Sequence, residues 1–395
     1  MSQGHSARST TWLNRFAWFT AVATLFLICS GGMVTSKGVG LAVPDWPTTF
    51  GYNMFLFPVS KWIGGVFFEH THRLVASTVG FLTIILAIWI WHSENRSASG
   101  GVRNLGLIAL AGVILQGILG GLRVTMLKDE IGIFHACLAQ AFLGLIVVIA
   151  LVTTNFWRSL SNAMVAEPAG GGQLLQHDAR SQKDTDRRSW AAQPIGLNRL
   201  SLGAKRVDPK TFAPIKSIAI AATVVIYLQL ALGATMRHQH RDLAILDFPT
   251  ANGAWIPDTS ATALQKINAW RDARGFSDVT AFQIWLQMVH RFLALFIAVA
   301  VIAFCVRVWR NTRQITALRR LSILWVAFLF VQLTLGAWTI WSNKAADVAT
   351  AHVAIGATML SFGVSICAIC WRISQTPRDE RSTTRSLDTK GAVVT

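Results

Sequence analysis

The sequence is short of charged residues. Asp, Glu, Lys and Arg make up 14% of its 395 residues, whereas 52% are hydrophobic. Soluble domains carry about a quarter charged residues, so the composition excludes an ordinary soluble protein. Apolar runs long enough to cross a bilayer recur eight times, at roughly 16–36, 67–91, 104–125, 133–156, 216–236, 281–305, 320–341 and 350–371. The chain is therefore predicted to be an all-α integral membrane protein with eight transmembrane helices.

Cysteine is scarce as well. The five cysteines all fall in predicted spans, which excludes a disulfide framework, and none lies between 30 and 136. Cys367 and Cys370 have CxxC spacing but no second pair. We interpret them as small packing residues, with a redox or metal role as the alternative. The five are Cys29, Cys137, Cys305, Cys367 and Cys370.

Acidic residues are few, and the net charge is +17. The positions of the basic residues argue against nucleic acid as the partner. Segments 1–15, 92–103, 157–216, 306–320 and 372–395 hold 24 of the 36 Lys and Arg, and the positive-inside rule places these segments in the cytoplasm. No cleavable signal or transit peptide is recognisable at the N-terminus. The sequence thus predicts a bacterial inner membrane protein with both termini cytoplasmic.

Residues 157–215 lack the regularly spaced apolar positions of a packed helix or strand, and we interpret them as a flexible cytoplasmic linker. It separates two halves with matching segments, which predicts an internal repeat of two pseudo-symmetric, parallel four-helix bundles. The predicted domains are 1–156, 157–215, 216–371 and a cytoplasmic tail at 372–395. The matching pairs are GLAVPDWPTTFG (40–51) with DLAILDFPTANG (242–253), EHTHR (69–73) with QMVHR (287–291), QGILGGLRV (116–124) with QLTLGAWTI (332–340), and HACLAQ (135–140) with HVAIGA (352–357).

Four histidines recur at equal spacing, His72 with His135 and His290 with His352. Each is predicted near the outer end of its span, so each bundle places two imidazoles at one depth. This pattern suits the two axial ligands of a haem iron. One such histidine alone would be interpreted as an interfacial residue, and His70 points away from His72 on a helix. A metal-only site is the alternative, but it would need more ligands than two histidines.

The halves differ at Glu69, which corresponds to Gln287. A carboxylate beside one histidine pair can exchange a proton or stabilise positive charge, and the alternative is that Glu69 only pairs with Arg73 or lies in the interface. Arg73, Arg291 and Arg123 are either clamps for haem propionates or interfacial arginines that snorkel.

In these motifs the chain resembles the haem A synthase family, CtaA-type membrane enzymes of cytochrome oxidase biogenesis. The resemblance covers nearly all eight spans and both halves. It implies oxidation of the C8 methyl of haem O to the formyl group of haem A, by two successive hydroxylations.

The resemblance also assigns the sites residue by residue. It implies that His72 and His135 bind the substrate haem in the first half, and that His290 and His352 bind a haem b in the second. Glu69 matches the functionally important glutamate of the family. Haem O synthase, oxidase assembly factors and a second copy of the chain are the protein partners it leaves open.

One departure from the family pattern concerns thiols. Many bacterial members carry a cysteine pair in the first outer loop, and here that loop, GLAVPDWPTTFG, has none. A thiol–disulfide step in this loop is therefore excluded.

Two other classes remain as alternatives. A di-haem cytochrome that exchanges electrons with quinone would have no evident need for Glu69. A transporter is disfavoured because paired Gly or Pro interruptions at mid-membrane are missing.

Overall fold

The computed structural model describes residues 3–93, 101–165, 209–239, 243–313 and 315–375. These residues form α-helices joined by loops, with an isolated β-bridge in two of the loops. The helices are α1 (Gln3–Ser36), α2 (Gly64–Ser93), α3 (Gly101–Met126), α4 (Asp129–Val152), α5 (Asn155–Val165), α6 (Pro209–Gln239), α7 (Ala261–Asp272), α8 (Ala281–Asn311), α9 (Thr316–Trp341) and α10 (Ala346–Ser374).

Eight of these helices are long and apolar enough to cross a membrane, which confirms the predicted number of spans. The largest shift in a boundary is at α1, which begins at Gln3 rather than at 16, and α8 ends at Asn311 rather than at 305. Two further shifts, at α4 and α6, have a local cause. The helix α4 ends at Val152 rather than at 156, because Thr153 caps it with its N–H and its hydroxyl, both on the Ile149 carbonyl. The helix α6 begins at Pro209 rather than at 216, and a proline fits the first turn because no N–H is needed there.

The helices of each half contact one another in a ring. In the first half α1 contacts α2 and α4, and α3 contacts the same two helices. In the second half α6 and α9 each contact α8 and α10. The halves meet where α1 and α4 pack against α10 and where α4 packs against α6. These contacts are compatible with two bundles, and the bundle arrangement itself stays a prediction.

Polar side chains inside the spans satisfy themselves locally. Thr24 donates to the carbonyl of Thr20, and Thr83 to that of Val79, four residues earlier in each case. Such bonds matter in lipid, where no water can replace a missing partner. Apolar packing fills the remaining interior. In the second half, for example, Trp325 is fully buried against Phe304 and donates its indole N–H to the Met359 carbonyl.

Most of the predicted linker lies outside the described residues, as does the tail beyond 375. At the edges of the linker, α5 continues to Val165 and α6 begins at Pro209, so helix extends into both of its ends.

Candidate functional site

The loop between α1 and α2 is organised by one carboxylate. Asp45 accepts hydrogen bonds from the N–H groups of Phe50 and Gly51, both at 2.8 Å, and from the Thr48 hydroxyl at 2.5 Å. Gly51 has φ +76°, a conformation that favours glycine. Desolvation by burial would raise the pKa of Asp45, but the three donors outweigh it and hold that pKa below its usual value.

The loop after α6 repeats this construction. Asp247 accepts from Asn252 N–H at 2.7 Å, Gly253 N–H at 3.0 Å and the Thr250 hydroxyl at 2.6 Å. Its pKa is also below the usual value, because these donors outweigh the effect of burial. Both loops contain a cis peptide bond before the proline of the motif, Trp46–Pro47 and Phe248–Pro249. The two loops thus share a fold stabilised by equivalent atoms.

Arginines from the next helix hold each loop by its backbone. Arg73 Nη1 donates to the carbonyls of Asp45 and Thr48, at 2.6 and 3.0 Å. Arg291 donates to the corresponding carbonyls of Asp247 and Thr250, at 2.7 and 2.8 Å. Both arginines therefore serve as braces between a helix and its loop in this structure.

The predicted asymmetry lies directly beneath these loops. Buried Glu69 accepts from Val43 N–H through Oε2 at 2.9 Å, and its Oε1 forms an ion pair with Arg73 Nη2 at 2.8 Å. Arg73 Nη2 also donates to the Val43 carbonyl at 2.7 Å. In the second half Gln287 alone makes both loop contacts, since it accepts from Ile245 N–H and donates to the Ile245 carbonyl. The carboxylate needs an arginine to do what the amide does by itself.

The four predicted histidines occupy the same end of the helices, which we call the histidine end. They lie eight, six, nine and six residues after the first residues of α2, α4, α8 and α10. Within each half the pair is brought together: His72 is in electrostatic range of His135, and His290 of His352.

Each histidine ring packs against a glycine of a neighbouring helix. A methyl group added at Gly31 would lie 2.9 Å from His72 Cε1, and one added at Gly336 would lie 3.2 Å from His352 Cε1. The corresponding distances are 3.4 Å for Gly120 to His135 and for Gly233 to His290. The glycines therefore make room for all four imidazoles.

The polar neighbours of the histidines come from the helices that carry these glycines. Ser30 Oγ lies 2.7 Å from His72 Nδ1. Gln116 donates to the backbone carbonyl of His135, and Gln229 to that of His290. In the described part of the chain, the buried Nδ1 atoms of His135, His290 and His352 have no hydrogen-bond partner. Each of these three rings therefore has a nitrogen, Nδ1, that makes no hydrogen bond with the described residues.

His70 faces a different environment. It lies beneath the first loop, between the rings of Phe57 and Trp62 at centroid distances of 5.0 and 4.8 Å, with Thr49 Oγ1 at 3.2 Å from Nδ1.

Two residues of the histidine end were not predicted from the sequence. Arg237 and His238 complete the last turn of α6 and reach α1 and α4 of the other half. The only signal for them was a pair of polar residues at the end of an apolar run, which also fits an ordinary helix end in the membrane interface.

The histidine pairs fit a haem better than a bare metal ion. In the described part of the chain, no group of three or more His, Cys, Asp or Glu could hold a metal ion. Two imidazoles are sufficient for a haem, since the porphyrin supplies the other four iron ligands.

Together, the fold and the site define a class: polytopic α-helical membrane proteins with two paired-histidine sites at one end of their helices. The chain belongs to the family described as Cytochrome oxidase assembly protein, COX15-CtaA, whose model matches residues 14–364.

Curated relatives support the same family. The chain is 24% identical over 324 residues to the heme A synthase of Shouchella clausii, across 80% of this chain and 83% of the relative. It is 22% identical over 352 residues to that of Geobacillus kaustophilus, across 87% and 86%. It is 23% identical over 385 residues to that of Shewanella oneidensis, across 92% and 97%.

Proposed function

We propose that this chain is a haem A synthase, which oxidises the C8 methyl group of haem O to the formyl group of haem A for cytochrome oxidase. Relatives with that name align with most of the chain. The single observation that carries the proposal is the pairing of four histidines into two sites that differ by one residue, Glu69 three positions before His72 and Gln287 three positions before His290. A pure electron carrier has no evident use for that asymmetry.

In this proposal His72 and His135 hold the substrate haem, and His290 and His352 hold a haem b. Bound haem supplies a redox-active iron at both sites. The contact of His72 Nδ1 with Ser30 leaves Nε2 as the ligating nitrogen, with the other ring nitrogen fixed by a hydrogen bond, as is usual for metal-bound histidines.

Glu69 is proposed as the catalytic residue of the first half. Its carboxylate accepts two hydrogen bonds, one of them within the ion pair with Arg73, and these use about half of its lone-pair positions. The carboxylate can therefore still accept a proton or stabilise positive charge that develops at the substrate. The hydrogen bond from Val43 N–H also fixes this carboxylate to the loop above the site.

The three arginines that were predicted to bind propionates differ in how many of their donors are already used by the protein. Arg73 and Arg291 donate to loop carbonyls, so binding a propionate as well would add to an existing role. Arg123 donates from Nη1 to the Gly40 carbonyl and has a buried Nε without a partner in the described residues. We propose Arg123 as the main propionate contact of the first site.

Localisation and orientation are also proposals. Eight apolar helices and bacterial relatives favour a multi-pass protein of the bacterial cytoplasmic membrane. The basic segments favour cytoplasmic termini, with the histidine end at the outer face. The first four-helix unit would then carry the substrate site and the second the haem b site, with the linker and tail in the cytoplasm. Haem O synthase, oxidase assembly factors or a second copy of the chain would be partners at this membrane.

The test is the haem content of cells that make haem O but lack haem A. Haem is extracted with acidic acetone and separated by chromatography, with and without expression of this chain. We expect haem A, or its hydroxylated precursor, only when the chain is present. Haem O left unchanged beside well-expressed protein that contains haem b would favour the quinone-linked di-haem cytochrome instead.

One variant tests whether product formation in this experiment depends on the first histidine pair. His72→Ala removes a proposed ligand of the substrate haem and should abolish product while the protein is still made. Product from His72→Ala at the normal level would contradict the assignment of the first half as the substrate site.

A further inference from the structure

The end of α6 inserts Arg237 and His238 between the two halves. Arg237 Nη2 donates to the Gly32 carbonyl and to Ser36 Oγ on α1, both at 2.7 Å. Its neighbour His238 reaches α4. Because α1 and α6 are joined at their final turns, the two halves present their histidine pairs at the same end of the molecule.

Arg123 and His238 converge over one glycine. A methyl group added at Gly132 would lie 2.6 Å from Arg123 Nε and also 2.6 Å from His238 Cε1. The aligned position in the second half is Ala349, which already carries the methyl group that Gly132 lacks. We call Arg123, Arg237 and His238 the junction cluster.

The junction cluster is connected electrostatically to both histidine pairs. Arg123 is in range of His72 and of His135. Arg237 is in range of His352. His238 lies between them and is in range of both arginines. A charge bound at this cluster would therefore be felt at both sites.

Among the described residues, the two arginines have no acidic partner. In the described part of the chain, no carboxylate lies within 4.0 Å of Arg123 or Arg237, whereas Arg73 has Glu69. The Nε atoms of both arginines are buried without a hydrogen-bond partner among these residues. A guanidinium that is partly withdrawn from water without a counter-ion is costly, and a carboxylate satisfies its planar donors two at a time.

We propose that the junction cluster is a shared carboxylate site, which binds a propionate of the substrate haem through Arg123 and a propionate of haem b through Arg237. His238 lies beside Arg123 at Gly132 and is in range of both arginines, so it would stand close to both carboxylates. The identity of the ligands rests on the proposed function, whereas the shared anion site rests on the geometry. The cluster thus links the two haem sites electrostatically, through residues of both halves.

The test measures the midpoint potential of haem b by spectroelectrochemistry in purified, haem-loaded protein. Arg237→Gln should lower this potential, because loss of a nearby cation disfavours the reduced, less positive iron. Arg237→Lys should keep most of the wild-type value. Arg123→Gln should instead reduce retention of haem O on size-exclusion chromatography and leave haem b bound.

Two control variants and one packing variant separate the effect of charge on the potential from the effect of side-chain packing. Arg310→Gln removes an exposed cation at the opposite end of α8 and should not change the potential. Ser36→Ala removes an Arg237 contact but no charge, so it should affect thermal stability rather than the potential. Gly132→Ala would displace Arg123 and His238 without changing any charge, and it should reproduce the loss of haem O expected for Arg123→Gln.

An unchanged haem b potential in Arg237→Gln, together with normal haem O retention in Gly132→Ala, would overturn the proposal. Neither readout requires turnover. A protein that binds haem normally and makes no haem A would contradict the proposed function while leaving the shared carboxylate site open to this test.

Discussion

The two halves stabilise nearly the same loop with different chemistry. Above the second histidine pair, the amide of Gln287 satisfies both the N–H and the carbonyl of Ile245. Above the first pair, Glu69 satisfies the N–H of Val43 and Arg73 satisfies its carbonyl. The loops themselves, with their aspartates and bracing arginines, are otherwise alike.

This difference shows that the carboxylate is not required by the architecture. An uncharged amide is sufficient for the same two backbone contacts in the second half. The first half keeps a buried ion pair instead, an arrangement that often stabilises no more than apolar or neutral replacements. Because the ion pair gives no structural benefit over the amide, we infer that Glu69 serves the chemistry of the first site.

Removing a proposed haem ligand should give the largest effect and should separate the halves. His290→Ala and His352→Ala are expected to lose the haem b absorbance bands almost completely, since each removes one of the two proposed iron ligands. His72→Ala should keep those bands and lose only haem O. The measurement is a reduced-minus-oxidised spectrum with pyridine haemochrome quantification.

Its control is His92→Ala, an exposed histidine at the opposite end of α2, which should retain all bound haem. Normal spectra in both second-half variants would remove the ligand assignment.

Exchanging the residues that differ should give an intermediate effect. Glu69→Gln should keep haem and fold, because a glutamine can repeat the contacts of Gln287, yet product formation should fall roughly 100-fold or more if the carboxylate moves protons. The measurement is the ratio of haem A to haem O in the extract.

The reciprocal change is the matched control. Gln287→Glu removes the donor to the Ile245 carbonyl and should cost about 1–3 kcal/mol of stability, with product formation per folded molecule unaffected. Full activity of Glu69→Gln would exclude the carboxylate from the mechanism.

The smallest effect is expected from adding a methyl group beside the histidines. Gly31→Ala would bring Cβ to 2.9 Å from His72 and force the ring to move, whereas Gly233→Ala would make an ordinary 3.4 Å contact with His290. We expect a several-fold loss of haem O relative to haem b in the first variant and none in the second. Equal haem ratios in the two variants would mean that ring position is not limiting.

The sequence was sufficient to predict the eight spans because hydropathy along the chain is a local property, and lipid imposes a nearly fixed length. It was also sufficient for the Glu69 and Gln287 asymmetry, which appears when the halves are aligned. Boundaries such as that of α4 depended on a capping threonine and were harder to predict.

Other features depend on tertiary contacts. The sequence did not indicate that Arg73 and Arg291 would point at loop carbonyls, because an arginine at a helix end can turn towards lipid headgroups, a ligand or the backbone. Arg237 and His238 were missed for a related reason. Their importance comes from the packing of α6 against α1 and α4, which no spacing within one half reveals.

The exchange of amide for carboxylate beneath the loops has an evolutionary consequence. Glutamine and glutamate codons differ by a single base, and an arginine stands four residues later in both halves. If the halves descend from one duplicated unit, a copy like the second could have acquired an ionisable group in one mutational step, with the arginine already in place to balance it. The loop geometry would then have allowed one copy to specialise while the other kept the ancestral form.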